Sequence, residues 1–187
     1  KSGTVISRCY TDGNKLFAEA GANIMDSNPN MTAEQFSSGE ICYLLNGGKT
    51  ENVLCRQTLG TDTVPVFTDS HSVVYRYRRN DKDAYSNTVI TTPQYYISSR
   101  EDFEAFIEKE GDIHLTQDIN VGNTGFYLRG NFDGGGHSIN YVGENEQLFK
   151  SIEKGGTVKH LQVLANIGSS SDCGGIAYEN QGTISDL

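Results

Sequence analysis

Gly156-Thr157-Val158-Lys159-His160-Leu161 returns near the C-terminus as Gly182-Thr183-Ile184-Ser185-Asp186-Leu187, with glycine, threonine, a β-branched residue and leucine matched at a spacing of 26 residues. A turn glycine, a β-branched pair and an apolar residue are what one turn of a β-solenoid needs, since each turn buries its apolar face only against its neighbours. Gly3-Thr4-Val5, followed by Cys9, is a looser third copy.

Outward from this repeat, apolar residues alternate with polar ones at the period of two that marks strands. Leu161, Val163, Ala165 and Ile167 fall on one face, with Gln162 and Asn166 opposite. Ile113, Leu115, Ile119 and Val121 share a face against His114, Thr116, Asp118 and Asn120, and Phe126, Leu128 and Phe132, then Ile139 and Tyr141, continue the pattern. Ahead of these strands the sequence predicts a helix over 98–110. Ser98 or Ser99 caps it, Glu101 or Asp102 completes a capping box, Gly111 stops it, and Phe103, Phe106 and Ile107 form its apolar stripe. Laid over the first strands, such a helix hides an unpaired edge and an apolar end from water.

The first half has a different texture. Thr32 to Phe36 predicts one short helix, and Ser38, as cap to Glu40, Ile41, Leu44 and Leu45, predicts a second that ends at Asn46-Gly47-Gly48. Strands are expected over 53–59, 64–67 and 73–77, then a turn at Asn80-Asp81-Lys82-Asp83 into a strand over 87–92. The expected organisation is a repeat tail and linker over 1–30, a small α+β connector module over 31–95, and helix-capped repeats over 96–187.

Composition narrows the function classes. Gly at 21 residues against Pro at 3, with 36% hydrophobic residues, describes a folded, turn-rich chain and not a disordered one. A formal charge of −9 repels nucleic acid and anionic membrane. The one basic cluster, Arg76, Arg78, Arg79 and Lys82, reads as a solvated hairpin. No window holds the ~18 apolar residues of a bilayer span, and Lys1 opens no signal pattern, so the signal of an exported parent protein is expected upstream. Cys9, Cys42, Cys55 and Cys173 allow three full pairings, and none has the C-x-x-C spacing of a zinc site. Cys42 and Cys55 are near enough in sequence to bridge, but the preferred reading is free buried thiols acting as small hydrophobes.

Phe132-Asp133-Gly134-Gly135-Gly136-His137-Ser138-Ile139, followed by Leu148-Phe149 and Gly156-Thr157-Val158, resembles the start of GLUG-type right-handed β-helix repeats. Gly111-Asp112-Ile113-His114-Leu115-Thr116-Gln117-Asp118-Ile119 looks like that family's lead-in. Ser38-Gly39-Glu40-Ile41-Cys42-Tyr43-Leu44-Leu45-Asn46-Gly47-Gly48, then Gln57-Thr58-Leu59-Gly60-Thr61-Asp62 and Pro65-Val66, resembles a connector module of the same proteins. The resemblance implies large surface proteins of host-associated anaerobic bacteria, or the non-catalytic region of some IgA-cleaving metallopeptidases. The implied fold class is mainly β: an α+β N-terminal module, then the start of a right-handed parallel β-helix solenoid capped by an amphipathic helix.

No catalytic motif stands out. Asp133 with Gly134 to Gly136 and His137 reads either as a metal or acid/base site or as a tight turn in which Asp and His bond the backbone. The turn is the expectation, because no H-E-x-x-H or EF-hand spacing is present. His71, His114, His137 and His160 are widely spaced and lack a nucleophile motif such as G-x-S-x-G. Asp112, Asp118 and Asp133 are the candidates for the carboxylate pair that a β-helix glycosidase would need. Tyr95, Tyr96, Tyr127, Tyr141 and Tyr178 are candidates for stacking on sugar rings or on a partner surface.

The expected function is therefore a non-catalytic structural or adhesive segment of a secreted or cell-surface bacterial protein, meeting host glycan or protein and using no cofactor or metal. The rival is a glycan-active β-helix, lyase or hydrolase, or the accessory region of a surface peptidase. Head-to-tail self-association is also expected, since the last repeat stops at Leu187 and Thr4 to Ser7 reads as an orphan strand. The helix reading predicts that Phe106→Asp lowers stability by about 3 kcal/mol, because it buries an unpaired charge against the first strands. An unchanged melting midpoint would remove the helix from that position.

Overall fold

The computed structural model describes residues 5–7, 23–25, 31–122, 124–143, 147–167 and 175–187, and it is mainly β with three short helices among them. The chain divides into two compact units, residues 1–77 with 83–91, and residues 78–82 with 92–187. At its start, β1 (Val5–Ser7) pairs in parallel with β2 (Asn23–Met25), so the segment expected to be an orphan has a partner. Gly3, Thr4 and Cys9 of the loose third copy lie outside the described residues.

In the first unit, α1 (Ala33–Ser37) begins at Thr32, whose hydroxyl accepts from the Gln35 amide while the Gln35 side chain accepts from the Thr32 amide. This capping box satisfies two orphan donors at once. The next helix, α2 (Glu40–Leu45), starts at Gly39 and not at the expected Ser38. Gly39 sits at φ +92°, and a β-carbon there would press on Leu59 and Val74, so only glycine lets the chain turn this tightly. The strands expected over 53–59 and 64–67 shrink to one antiparallel bridge, Arg56 with Val66. Side chains take the backbone partners instead. Asn46 bonds the backbone of Leu54 and Cys55, and Asn87 bonds Leu59, Gln57 and Val73. Asn87 thus serves as a clasp in a stretch read as strand.

β3 (Tyr75–Arg79) and β4 (Lys82–Ser86) are joined at Asn80-Asp81, both at positive φ, as a two-residue hairpin turn requires. The tip of this hairpin, Arg78–Lys82, belongs to the second unit. There Asn80 exchanges hydrogen bonds with Tyr96, and Arg79 pairs with Gln94 on β5 (Gln94–Ile97). β5 counts with the second unit, although the sequence reading ended the first at residue 95, because it pairs along its whole length with β6 (Asp112–Leu115).

From β6 onward, every strand pairs in parallel with the third strand after it. β7 (Ile119–Val121), β10 (Ser138–Gly143) and β13 (Gln162–Ile167) form one sheet, and β8 (Phe126–Leu128), β11 (Phe149–Ile152) and β14 (Ala177–Asn180) form a second. β6 continues through β9 (Asn131–Asp133) and β12 (Thr157–Lys159) to β15 (Thr183–Ser185). The residues matched at a spacing of 26 sit on each other in register, Thr157 on Thr183 and Val158 on Ile184.

This pairing stacks like on like. Tyr95, Ile113, Phe132, Val158 and Ile184 form one inward column, and Ile119, Ile139 and Val163 form another. Both belong to one apolar core, in which Phe132 meets Phe103 and Phe149 edge-on at 6.4 and 6.3 Å. Each such aromatic contributes roughly 1.5–3 kcal/mol by burial. Phe103 comes from α3 (Arg100–Phe106), capped by the Ser99 hydroxyl, shorter than the expected 98–110. Phe103 and Ile107 are sealed in this core, whereas Phe106 is only partly buried and stacks on Tyr95. Alternation weakens along β13, where Ala165 is exposed; the side chain of Ile167 lies outside the described residues.

One corner makes this stacking close. Gly111, Gly130, Gly156 and Gly182 precede β6, β9, β12 and β15, and the carbonyls of the first three accept from the Asn131, Thr157 and Thr183 amides at 2.8, 3.2 and 3.0 Å. A β-carbon on Gly130 would collide with the Gly111 carbonyl, and one on Gly182 with the Gly156 carbonyl. Gly130→Ala is accordingly expected to cost about 1–3 kcal/mol through forced displacement of packed backbone, while Gly175→Ala, which meets nothing within 4 Å, stays near wild type. Thermal or urea melts of the two variants check this; equal midpoints would contradict it.

Candidate functional site

The outward face of the sheet from β5 to β15 carries two columns of polar side chains. Gln94, Asp112, Asn131, Thr157 and Thr183 are in register in one, and Tyr96, His114, Asp133, Lys159 and Ser185 in the other. Strands spaced at ~4.8 Å bring successive side chains within hydrogen-bonding reach. In the first column the Gln94 and Asn131 amides donate to the two oxygens of Asp112 at 2.8 and 3.0 Å, and the Thr157 hydroxyl donates to the Asn131 carbonyl at 3.1 Å. Between the columns, His114 Nε2 lies 3.0 Å from the Gln94 carbonyl oxygen. The columns of the last four strands line an open groove of about 500 Å³.

Asp133 is the most connected group of this face. One oxygen accepts from the Gly135 amide at 3.0 Å and lies 3.0 Å from His160 Nδ1, and the other meets Lys159 Nζ at 3.2 Å. Burial pushes its carboxyl upward, but the Gly135 amide, His160 and Lys159 outweigh that and hold it at about 2. Asp112 is also held below the usual carboxylate range, chiefly by the Asn131 amide and, against partial burial, by Gln94. Both are therefore anions at neutral pH. His160 reaches Asp133 from a backbone at φ +50°, a conformation uncommon for non-glycine residues.

The expected turn at Asp133 is present through the Gly135 amide, but the His137 ring does not bond the backbone. It faces Asp118 at 3.6 Å, and Asp118 itself accepts from the Ser138 amide at 2.8 Å. The turn passes the chain from one sheet to the next and does not reverse it. Of the three carboxylate candidates, Asp112 and Asp133 share the groove and Asp118 stands apart from it. His114 and His160 serve the ladder, and His71 pairs with Asp62 at 2.6 Å in the first unit.

The five tyrosines separate. Tyr95 and Tyr141 are core residues, 6% and 1% exposed, and present no face to a ligand; the Tyr141 hydroxyl donates to the Gly175 carbonyl. Tyr96 is covered by Arg79 at 4.2 Å and stacked on His114 at 5.0 Å. Tyr127 carries Lys150 over its ring at 5.5 Å, and Tyr178, 68% exposed, stands beside Lys150 in the register of β11 and β14.

Gln94, Asn131 and Lys159 were not singled out by sequence reasoning, and His160 was weighed only as one of four scattered histidines. The signal for the first column was available: Gly111-Asp112-Ile113 and Gly130-Asn131-Phe132 have the glycine, polar, apolar order of Gly156-Thr157-Val158. Among the described residues no three His, Cys, Asp or Glu side chains converge as a metal site would need, and no helix is long and apolar enough to cross a membrane. Comparison with family models, curated proteins and solved structures gives no match to this chain.

The charge on Asp133 has a consequence for stability against pH. Its folded-state pKa of about 2 lies below the ordinary ~3.9, so the stabilisation is complete above the ordinary value and is lost as pH falls from about 4 to about 2. Asp133→Asn should lower stability at neutral pH by on the order of 1 kcal/mol, allowing for solvent screening. The gap between variant and wild-type melts should close below about pH 2; a gap independent of pH would contradict the assignment.

Proposed function

We propose that this chain is a non-catalytic structural segment of a secreted or cell-surface bacterial protein of the GLUG-repeat kind. In this reading the second unit is the start of a right-handed β-helix that serves as a stalk, α3 is its cap, and the first unit is a connector. The observation that carries it is the pairing of each strand from β6 onward with the third strand after it, in parallel and in register. Parallel crossovers within one sheet are right-handed in about 98% of cases, which gives the hand. Phe103 on α3, sealed against Phe126 and Phe132 at one end of the strand series, supports the cap.

The polar columns suit a stalk because their donors and acceptors are spent on each other, so that each strand fixes the register of the next. Adhesive contact with host glycan or protein falls to the strip of half-buried Tyr127 and exposed Lys150 and Tyr178, where aromatic rings and a cation stand together.

One observation favours the rival, a glycan-active β-helix: Asp112, Asp133 and Lys159 share an open groove. The electrostatics weigh against hydrolysis, since a glycosidase pair keeps one carboxyl protonated near neutral pH and both of these are held down. The test is incubation of the chain with a panel of neutral and uronate-containing polysaccharides, followed by reducing-end release and absorbance of unsaturated uronate. The proposal expects neither signal. Product that accumulates with the wild-type chain and disappears in Asp133→Asn or Asp112→Asn would replace the stalk with an enzyme.

A further inference from the structure

The first unit holds two cysteines side by side. Cys42 lies on the inner side of α2 and Cys55 on the segment that follows the helix; both are buried and free, and their Sγ atoms are 3.4 Å apart. Their approach is set by Asn46 at the end of α2. Its side-chain oxygen accepts from the Leu54 and Cys55 amides at 2.9 and 3.0 Å, and its nitrogen donates to the Cys55 carbonyl at 2.8 Å. Three hydrogen bonds thus pin the Cys55 backbone against the helix carrying Cys42, so the two thiols meet by construction and not by chance fluctuation of the loop. A disulfide needs an S–S distance of ~2.05 Å, so the two sulfurs have only ~1.4 Å left to close.

We infer that Cys42 and Cys55 form an intramolecular disulfide when a small-molecule disulfide, such as oxidised glutathione, reaches them. The loop between them makes this accessible. Residues 47–52 are exposed and belong to no helix or strand, so an opening that breaks the Asn46 bonds uncovers Cys55 without unfolding α2. In the first step the Cys55 sulfur, having given its proton to water, attacks one sulfur of the small disulfide and expels the other half as a thiolate. In the second, Cys42 loses its proton, attacks the mixed disulfide at the Cys55 sulfur and expels the second small thiolate. Two protein thiols are oxidised and one small disulfide is reduced to two thiols. The order follows from the pair itself: the Cys55 thiol is pushed down chiefly by its hydrogen bond with Cys42, whereas that same bond, with burial, pushes Cys42 up. The bridge closes a loop between residues 13 apart in sequence in the unfolded chain and so stabilises the folded first unit.

The experiment uses the full chain carrying Cys9→Ser and Cys173→Ser, which leaves only the pair in question, with the unsubstituted chain alongside. Folded protein is equilibrated with oxidised glutathione, digested with trypsin without reduction, and mapped by mass spectrometry. Lys49 lies between the two cysteines, so a bridge appears as two linked peptides that separate on adding dithiothreitol. The expected result is this linked species in both proteins, loss of both titratable thiols, and a melting midpoint raised by on the order of 10 °C. Cys42→Ala should abolish the shift. Thiols that stay free in the folded chain and pair only after denaturation would overturn the inference, as would Cys42 or Cys55 linked to Cys9 or Cys173 in the unsubstituted chain.

Discussion

A glycine carbonyl lying against the α-carbon of the next corner glycine is the contact on which the second unit depends. At Gly111, Gly130, Gly156 and Gly182 the backbone of one pass comes too close to the next for a β-carbon to fit at Gly130 or Gly182. The same carbonyls receive the Asn131, Thr157 and Thr183 amides, so a steric allowance and a hydrogen bond act at one place. With the corner fixed, the strand after it has no freedom of register. A slip of one residue would turn every apolar side chain outward. The Phe132, Val158 and Ile184 column and the polar columns on the other face are therefore two results of one constraint.

The outer face is better understood as a ladder than as a set of ion pairs. Its charged contacts are partly exposed, and single pairs of that kind contribute little. What distinguishes it is continuity: Gln94, Asp112, Asn131 and Thr157 each give or receive a hydrogen bond from the adjacent strand, and Asp133 gathers an amide, a histidine and a lysine. Removing one member takes a hydrogen-bond partner from the strands on both sides at once.

Much of the second unit was legible because its code is short-range. Period-two alternation located Ile113, Ile119, Phe132 and Ile139 in the core, and the repeat of Gly156-Thr157-Val158 gave the pairing of β12 with β15. Two further copies of the same order escaped notice: Gly130-Asn131-Phe132 stands 26 residues before Gly156 but has neither the threonine nor the β-branched residue, and Gly111 stands only 19 residues before Gly130. In the first unit the periodicity was read as strand at 53–59 and 64–67, but Asn46 and Asn87 supply hydrogen bonds that strands would otherwise give each other. Side-chain clasps of this kind join residues up to 30 apart and leave no local pattern. The tyrosines show the same limit: parity along a strand says which face a ring occupies, and only the stack above and below says that Tyr141 is sealed while Tyr178 is open. The Asp133 to His160 contact rests on a register between β9 and β12 that repeats the spacing of 26, but Asn131-Phe132 does not resemble Thr157-Val158 closely enough to mark it.

The corner glycines hold successive passes in register through their carbonyls. Scalar couplings transmitted through hydrogen bonds, measured by NMR on the isotopically labelled chain, test it directly. Couplings are expected from the amide nitrogens of Asn131, Thr157 and Thr183 to the carbonyl carbons of Gly111, Gly130 and Gly156, respectively. Couplings to any other carbonyl, or rapid solvent exchange of those three amides in place of coupling, would contradict the account.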